Sequence, residues 1–116
     1  MIVSHNYPYL DIAYWIGGQK LQGSAYVDTG FDGCLIVPEA EGKELMVSFH
    51  LTVVALGDGS LRLAHEHRGV LEIGETRFRT TVLFLGDEYL LGREIVDQMR
   101  ICFHWGERLE VEFQRQ

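Results

Sequence analysis

The amino-acid sequence predicts an all-β domain with one short helix near its C-terminus. Two observations support this prediction. Strand-like segments recur along the chain, and glycine-rich turn signals separate them about every ten residues. That spacing is typical of a β-barrel or β-sandwich and not of alternating strands and helices. The chain has 116 residues, so we expect a single domain over residues 1–116.

Nine segments have the composition and periodicity of strands. They are rich in β-branched and aromatic residues, and most alternate or are continuously apolar. In chain order they are residues 8–16, 19–27, 34–37, 47–56, 61–67, 69–73, 76–85, 100–104 and 108–113. Turn residues, mostly glycine with a polar neighbour, join several of them into hairpins. These turns lie at residues 17–18, 57–60, 74–75 and 106–107.

Three segments between the predicted strands are expected to form a loop or helical turns. Residues 28–33 form a loop with two glycines. Residues 39–46 are polar, follow Pro38 and fit a helical turn. Residues 94–99 carry apolar side chains at helical spacing and predict the short C-terminal helix.

Composition and charge argue against several classes of function. The chain is 47% hydrophobic and 23% charged, which is ordinary for a globular domain. Its net charge is -7 and its pI about 5.1, which argues against nucleic-acid or anionic-membrane partners. No apolar run has the length of a membrane span, and no signal-peptide pattern stands at the N-terminus. We therefore expect a cytoplasmic protein.

The cysteines and histidines do not predict a metal site. Cys34 and Cys102 lie in apolar, strand-like segments, and two buried reduced thiols are favoured over the one disulfide that parity permits. His65 and His67 lie two residues apart but have no third ligand at a useful spacing. We expect neither a metal nor another cofactor.

The triplet Asp28-Thr29-Gly30 stands between two apolar strands. A charged Asp in such a position is costly unless it is hydrogen-bonded or takes part in chemistry. Gly30 lets the backbone approach the carboxylate and donate N–H groups to it. The alternative interpretation is that Asp28 only caps a surface turn.

Two segments together resemble the retropepsin-like aspartic proteases. Residues 27–32, Val-Asp-Thr-Gly-Phe-Asp, resemble the Asp-Thr-Gly-Ala-Asp segment of retroviral proteases. Residues 90–98, Leu-Leu-Gly-Arg-Glu-Ile-Val-Asp-Gln, resemble their apolar-apolar-Gly-Arg-Asn-apolar-apolar-x-Gln segment. The Asp-Thr-Gly-Phe variant and the length are similar to those of small bacterial retropepsin-like proteins. The resemblance implies a closed β-barrel with a flap hairpin and an active site on the two-fold axis of a homodimer.

The resemblance also implies roles for individual residues. One triplet supplies one carboxylate, so Asp28 would form a catalytic dyad with Asp28 of a second copy. Thr29 would hydrogen-bond across the two-fold axis, and Gly30 would support the carboxylate. Asp32 and Arg93 match a retroviral pair that forms a salt bridge beside the active site. The alternative is two unrelated surface charges.

Further residues are expected to contact the peptide or to support the catalytic loop. Phe31 stands where a small residue is usual, and its ring either narrows the cleft or faces the core. Phe31 and Asp32 join the flap tip as expected substrate-binding residues. The flap tip comprises Gly57, Asp58, Gly59 and Ser60, which would also suit any exposed hairpin. The packing that orients the catalytic loop is expected from Leu90, Leu91, Gly92 and Arg93.

The predicted function is an aspartic endopeptidase that binds a peptide as an extended strand. One alternative is a catalytically silent module that binds a peptide or protein partner on the same fold. A second is a structural β-domain of a larger assembly. Residues 109–113 alternate as a half-exposed strand does, and they extend beyond the end of a retroviral protease. Their pairing stays open, with an interface sheet as one option.

Overall fold

The computed structural model describes residues 1–45 and 50–113, which form ten strands and two short helices. The strands are β1 (Ile2–Ser4), β2 (Tyr9–Ile16), β3 (Gln19–Val27), β4 (Leu35–Val37), β5 (His50–Ala55), β6 (Leu61–Ile73), β7 (Thr76–Phe84), β8 (Tyr89–Leu91), β9 (Met99–His104) and β10 (Arg108–Phe113). The helices are α1 (Glu39–Glu44) and α2 (Arg93–Val96). Met46 and the first three residues of the strand predicted at 47–56 lie outside the described residues. No helix in the described part of the chain is long and apolar enough to cross a membrane.

Six strands close into a barrel, which confirms the all-β, closed-barrel prediction. Their order is β2-β3-β8-β4-β7-β6, and β2 pairs with β6 to close the circle. Beyond the barrel, β5 pairs with the first half of β6 as a projecting hairpin. A separate small sheet has the order β1-β10-β9. Its inner side packs on the barrel through buried Leu109 and Val111.

Local turn chemistry accounts for the hairpins. Gly17 and Gly18 join β2 to β3 with φ of 57° and 81°, the positive values that a two-residue type I′ turn requires. The flanking residues Ile16 and Gln19 are directly paired across the turn. The hairpin is therefore specified within a few residues of sequence.

The main core fills the barrel, and α1 packs on it. The Glu41 carboxylate of α1 accepts hydrogen bonds from the hydroxyls of Tyr14 and Tyr89. Tyr14 is fully buried, and a Cβ on Gly42 would lie 2.8 Å from the ring of Phe84. A glycine and a carboxylate therefore let this short helix approach the barrel closely. The sequence predicted no more than a helical turn here, whereas the structure has the six-residue helix α1.

Two predicted boundaries are wrong. The two strands predicted at 61–67 and 69–73 are the single strand β6. The predicted gap at residue 68 does not exist. A Cβ on Gly69 would lie 2.8 Å from the Trp15 carbonyl oxygen, so the glycine permits the close approach of β2. The helix predicted over 94–99 is the single turn α2, which ends at Val96, and Met99 already begins β9.

The C-terminal strand β10 is the middle strand of the small sheet. It pairs with β9 on one side and with β1 on the other, which answers the open question of its pairing within one copy.

Both cysteines are free thiols. Cys34 is buried as predicted, but the prediction is wrong for Cys102, which is exposed on the outer side of β9.

Candidate functional site

The two motifs singled out in the sequence lie side by side. β8 runs between β3 and β4, parallel to β3 and antiparallel to β4. Leu91 is therefore opposite both Val27 and Leu35. Val27 ends β3 just before the loop of residues 28–33, and Leu35 begins β4 shortly after it. This arrangement brings residues 28–33, called the Asp28 loop below, against residues 91–94.

Backbone hydrogen bonds clamp the Asp28 loop to this second motif. The Asp28 N–H donates to the Leu91 carbonyl at 3.0 Å. In the other direction, the Arg93 N–H donates to the Phe31 carbonyl at 2.7 Å, and the Glu94 N–H donates to the Gly33 carbonyl at 3.0 Å. Bonds at both ends and in the middle of the loop fix its position without using any side chain.

Asp28 is half-buried as a residue, and its carboxylate is held by the loop's own backbone. Its Oδ1 accepts the Gly30 N–H at 2.9 Å, the contact expected of that glycine. Thr29 and Gly30 are exposed in the single chain. The carboxylate therefore has a fixed position, and the residues beside it are free for contact with another surface.

The ring of Phe31 faces the core, which decides between the two alternatives left by the sequence. It is 8% exposed and belongs to a cluster under the projecting hairpin. The buried members of this loop–lid cluster are Phe31, Cys34, Ile36, Val54, Ala64, Leu83 and Leu85. A Cβ on Gly33 would lie 2.4 Å from the ring, and one on Gly92 would lie 2.7 Å from it. Two glycines thus make the space that the large ring needs.

The hairpin of β5 and β6, called the lid below, carries its turn over the Asp28 loop. A Cβ on Gly57 would lie 3.9 Å from the Gly30 carbonyl oxygen. The Asp58 carboxylate accepts the N–H and the hydroxyl of Ser60 at 2.9 and 2.6 Å, and these two bonds lower the pKa of Asp58. Gly59 has φ of 86°. The predicted flap tip is therefore an ordered turn beside the predicted catalytic loop.

The expected ion pair between Asp32 and Arg93 is wrong for the single chain. The Arg93 guanidinium instead contacts the Asp97 carboxylate at 3.5 Å, and both side chains are more than half exposed. Arg93 begins α2, so the side chain four residues later lies on the same helix face. Within the described residues, Asp32 takes part in no ion pair.

Sequence reasoning missed three residues of the site. Gly33 makes room for Phe31, the Cys34 carbonyl accepts the Gly92 N–H at 2.8 Å, and Glu94 donates its N–H to the loop. Burial raises the pKa of the Cys34 thiol to about 12, and the nearby charge of Glu94 adds to the effect. The sequence signal for Gly33 was its position two residues after Phe31, because a glycine close to a large side chain suggests that it makes room for that side chain.

A groove of about 1130 Å³ lies between the small sheet and the turn at Gly74, and no predicted site residue lines it. Residues 1–45 and 50–113 contain no group of three His, Cys, Asp or Glu side chains that is placed to hold a metal ion. The Asp28 loop carries two carboxylates, those of Asp28 and of the exposed Asp32.

No protein-family model matches the chain, and no curated protein matches it either.

Proposed function

We propose that this chain is a retropepsin-like aspartic endopeptidase that acts as a homodimer. The observation that carries the proposal is the Asp28 carboxylate, which is held by the Gly30 N–H on a loop clamped to a second motif. The turn of the lid adjoins the same loop. A fixed carboxylate under a hairpin is the arrangement that peptide hydrolysis at a covered cleft requires.

Hydrolysis by carboxylates alone requires two of them. One carboxylate accepts a proton from the attacking water, while a protonated partner donates to the peptide carbonyl oxygen. Asp28 supplies one member of this pair in each chain, and a two-fold axis beside Asp28 would supply the second from another copy. The exposure of Thr29 and Gly30 favours such an axis, because both residues would become buried in the dimer.

The open surface at Asp28 also fits a dimer. A single copy provides one loop and one lid, so it forms only one wall of a cleft. A second copy completes the cleft and lets a peptide lie as an extended strand between the lids and the two loops.

The test is peptide cleavage by the wild-type protein and by Asp28→Asn. We expect the variant to be folded, dimeric and inactive, because Asn keeps the size of Asp but cannot transfer the proton. Asp11→Asn is the matched control, since Asp11 lies on β2, is exposed and accepts a hydrogen bond from Ser24 at 3.0 Å. Activity should follow a bell-shaped pH profile, because the pair must carry one proton. Cleavage by Asp28→Asn at the wild-type rate would rule out this mechanism.

One observation favours a second candidate, a module that binds a partner without cleaving it. The outer face of the lid exposes four large apolar side chains to 60–69%, and such patches often mark interaction sites. They are Leu51, Val53, Leu61 and Leu63. A wild-type dimer that binds library peptides without cleaving them at any pH would favour this module over the protease.

A further inference from the structure

The lid has an inner face that is turned toward the Asp28 loop. Val54 of β5 and Ala64 of β6 are 7% and 2% exposed and belong to the loop–lid cluster together with Phe31. Side chains point alternately to the two faces of a strand, and directly paired residues share a face. The residues on the same side as Val54 and Ala64 therefore form the inner face, opposite to the apolar outer face.

Arg62 lies on this inner face, close to the turn of the lid. It is directly opposite Val54 in the register of β5 and β6. Val54 is buried, whereas Arg62 is exposed. At this level the inner face is therefore covered on its β5 side and open on its β6 side, so a peptide beneath the lid can reach the guanidinium of Arg62.

The Arg62 guanidinium takes part in no ion pair within residues 1–45 and 50–113. The ion pairs in these ranges use Arg77, Arg93 and His104 as their cations. A guanidinium presents its N–H donors in a planar fork that fits a carboxylate bidentately. The group that Arg62 fits at the side of the proposed cleft is therefore a carboxylate of the bound peptide.

The floor of the proposed cleft has the opposite charge. Asp28 and Asp32 lie on the Asp28 loop, and Asp32 is exposed and forms no ion pair in the described part of the chain. A peptide bound as an extended strand directs alternate side chains toward the lid and toward the floor. An acidic side chain is therefore attracted where it faces the lid and repelled where it faces the floor.

We infer that Arg62 selects peptides that carry Asp or Glu at a lid-facing position. This inference rests on the proposed function and names the substrate class of the same site. The Arg62 guanidinium donates two N–H groups to the acidic side chain, and the contact is strengthened because the lid excludes water from it. Since each copy in the proposed dimer has its own lid, we expect one acidic position on either side of the cleaved bond.

Peptide binding tests this selection without requiring cleavage. The probe is a library of short random peptides panned on the Asp28→Asn protein. We expect Asp and Glu to be enriched at a fixed position. An enriched Glu peptide should have a Kd about tenfold lower than the same peptide with Gln, the size expected of a hydrogen bond to a charged group. When Arg62→Gln is added to Asp28→Asn, the two peptides should bind equally, and Arg62→Glu should favour Lys at the same position.

Arg79→Gln is the matched control. Arg79 is also an exposed arginine without an ion pair among the described residues, but it lies on β7 opposite Val70, in the half of β6 far from the lid turn. Both substitutions remove one positive charge. A general effect of net charge on acidic peptides would therefore appear in both variants, whereas selection by Arg62 is lost only in Arg62→Gln.

The outcomes separate this inference from the proposed activity. Equal enrichment of Asp and Glu with and without Arg62, or equal losses in Arg62→Gln and Arg79→Gln, overturns the selection by Arg62 and does not affect the proposed protease. Enrichment that depends on Arg62, in a wild type that cleaves none of the enriched peptides, supports the selection and overturns the protease. Cleavage of these peptides with a kcat/KM that falls about tenfold when Glu is replaced by Gln supports both. A protein that neither binds nor cleaves any peptide overturns both.

Discussion

The contact between Gly92 and the Asp28 loop makes a quantitative prediction for Gly92→Ala. A Cβ at this position would lie 2.2 Å from the Gly33 carbonyl oxygen and 2.7 Å from the Phe31 ring. A backbone oxygen cannot rotate away as a side chain can, so the loop must shift. The shift would strain the hydrogen bonds that the carbonyls of Phe31 and Gly33 accept from the α2 N–H groups.

The expected loss of stability follows from these contacts. Overpacking costs about 1–3 kcal/mol, and two weakened hydrogen bonds add about 1 kcal/mol each. The total of about 3–5 kcal/mol is a large share of the roughly 5–15 kcal/mol that stabilises a domain. For a chain of this length it corresponds to a fall in melting temperature of about 12–20 °C.

Urea unfolding and peptide cleavage measure the two consequences of Gly92→Ala. We expect the proteolytic rate of the folded fraction to fall about 100-fold, because the displaced loop carries Asp28. Gly57→Ala is the control for stability, since its Cβ would meet only the Gly30 carbonyl oxygen at 3.9 Å, an ordinary contact. If Gly92→Ala were as stable as Gly57→Ala, the close packing of Gly33 against Gly92 would be refuted.

Three further predictions concern single side chains. Arg93→Ala should change the free energy of unfolding by at most about 0.5 kcal/mol, because its ion pair with Asp97 is exposed; a loss of several kcal/mol would show that Arg93 has a buried partner. In Cys34→Ala, urea unfolding should depend less on pH between 9 and 10 than in the wild type, with Cys102→Ala as the control. The pKa of the folded thiol is raised from 9.0 to about 12, so above pH 9 the thiol ionises in the unfolded chain but not in the folded one. The fold therefore loses about 1.4 kcal/mol of stability per pH unit as pH rises from 9 toward 12. If the free energy of unfolding of Cys34→Ala and of the wild type changed equally with pH, the buried thiol would be contradicted. Glu41→Ala should lower stability by about 1–3 kcal/mol, since it removes an acceptor from buried Tyr14, and Glu41→Gln should lose less because it keeps one; equal melting of the two variants would contradict the hydrogen bonds to the tyrosines.

Features specified by neighbouring residues were predictable from the sequence. Gly17 and Gly18 have the positive φ values that their turn needs, and Gly59 likewise has a positive φ in the turn of the lid. The adjacency of the two site motifs was also anticipated, although only through the resemblance. Periodicity alone does not determine which strand lies between which others.

Features that depend on contacts distant in sequence were missed. Gly69 resembles a strand break until the Trp15 carbonyl oxygen is placed against it. The three residues of β1 carry no strand signal of their own, and their pairing partner lies more than one hundred residues away in β10. The wrong partner predicted for Arg93 could have been avoided from the sequence. Asp97 lies four residues after Arg93, so on a helix the two side chains meet without the cost of closing a loop.

The loop–lid cluster limits where the lid can open. Phe31 of the Asp28 loop shares this cluster with Val54 of β5 and Ala64 of β6, which are 7% and 2% exposed. Lifting the whole hairpin would expose these side chains and remove the packing that supports Phe31, and with it the loop that carries Asp28. Leu56, two residues nearer the turn than Val54, is partly buried and still packs against this cluster, whereas residues 57–60 are exposed. The movement that admits a peptide to the proposed site is therefore confined to residues 57–60, so that the lid opens at its tip while its base keeps the catalytic loop in place.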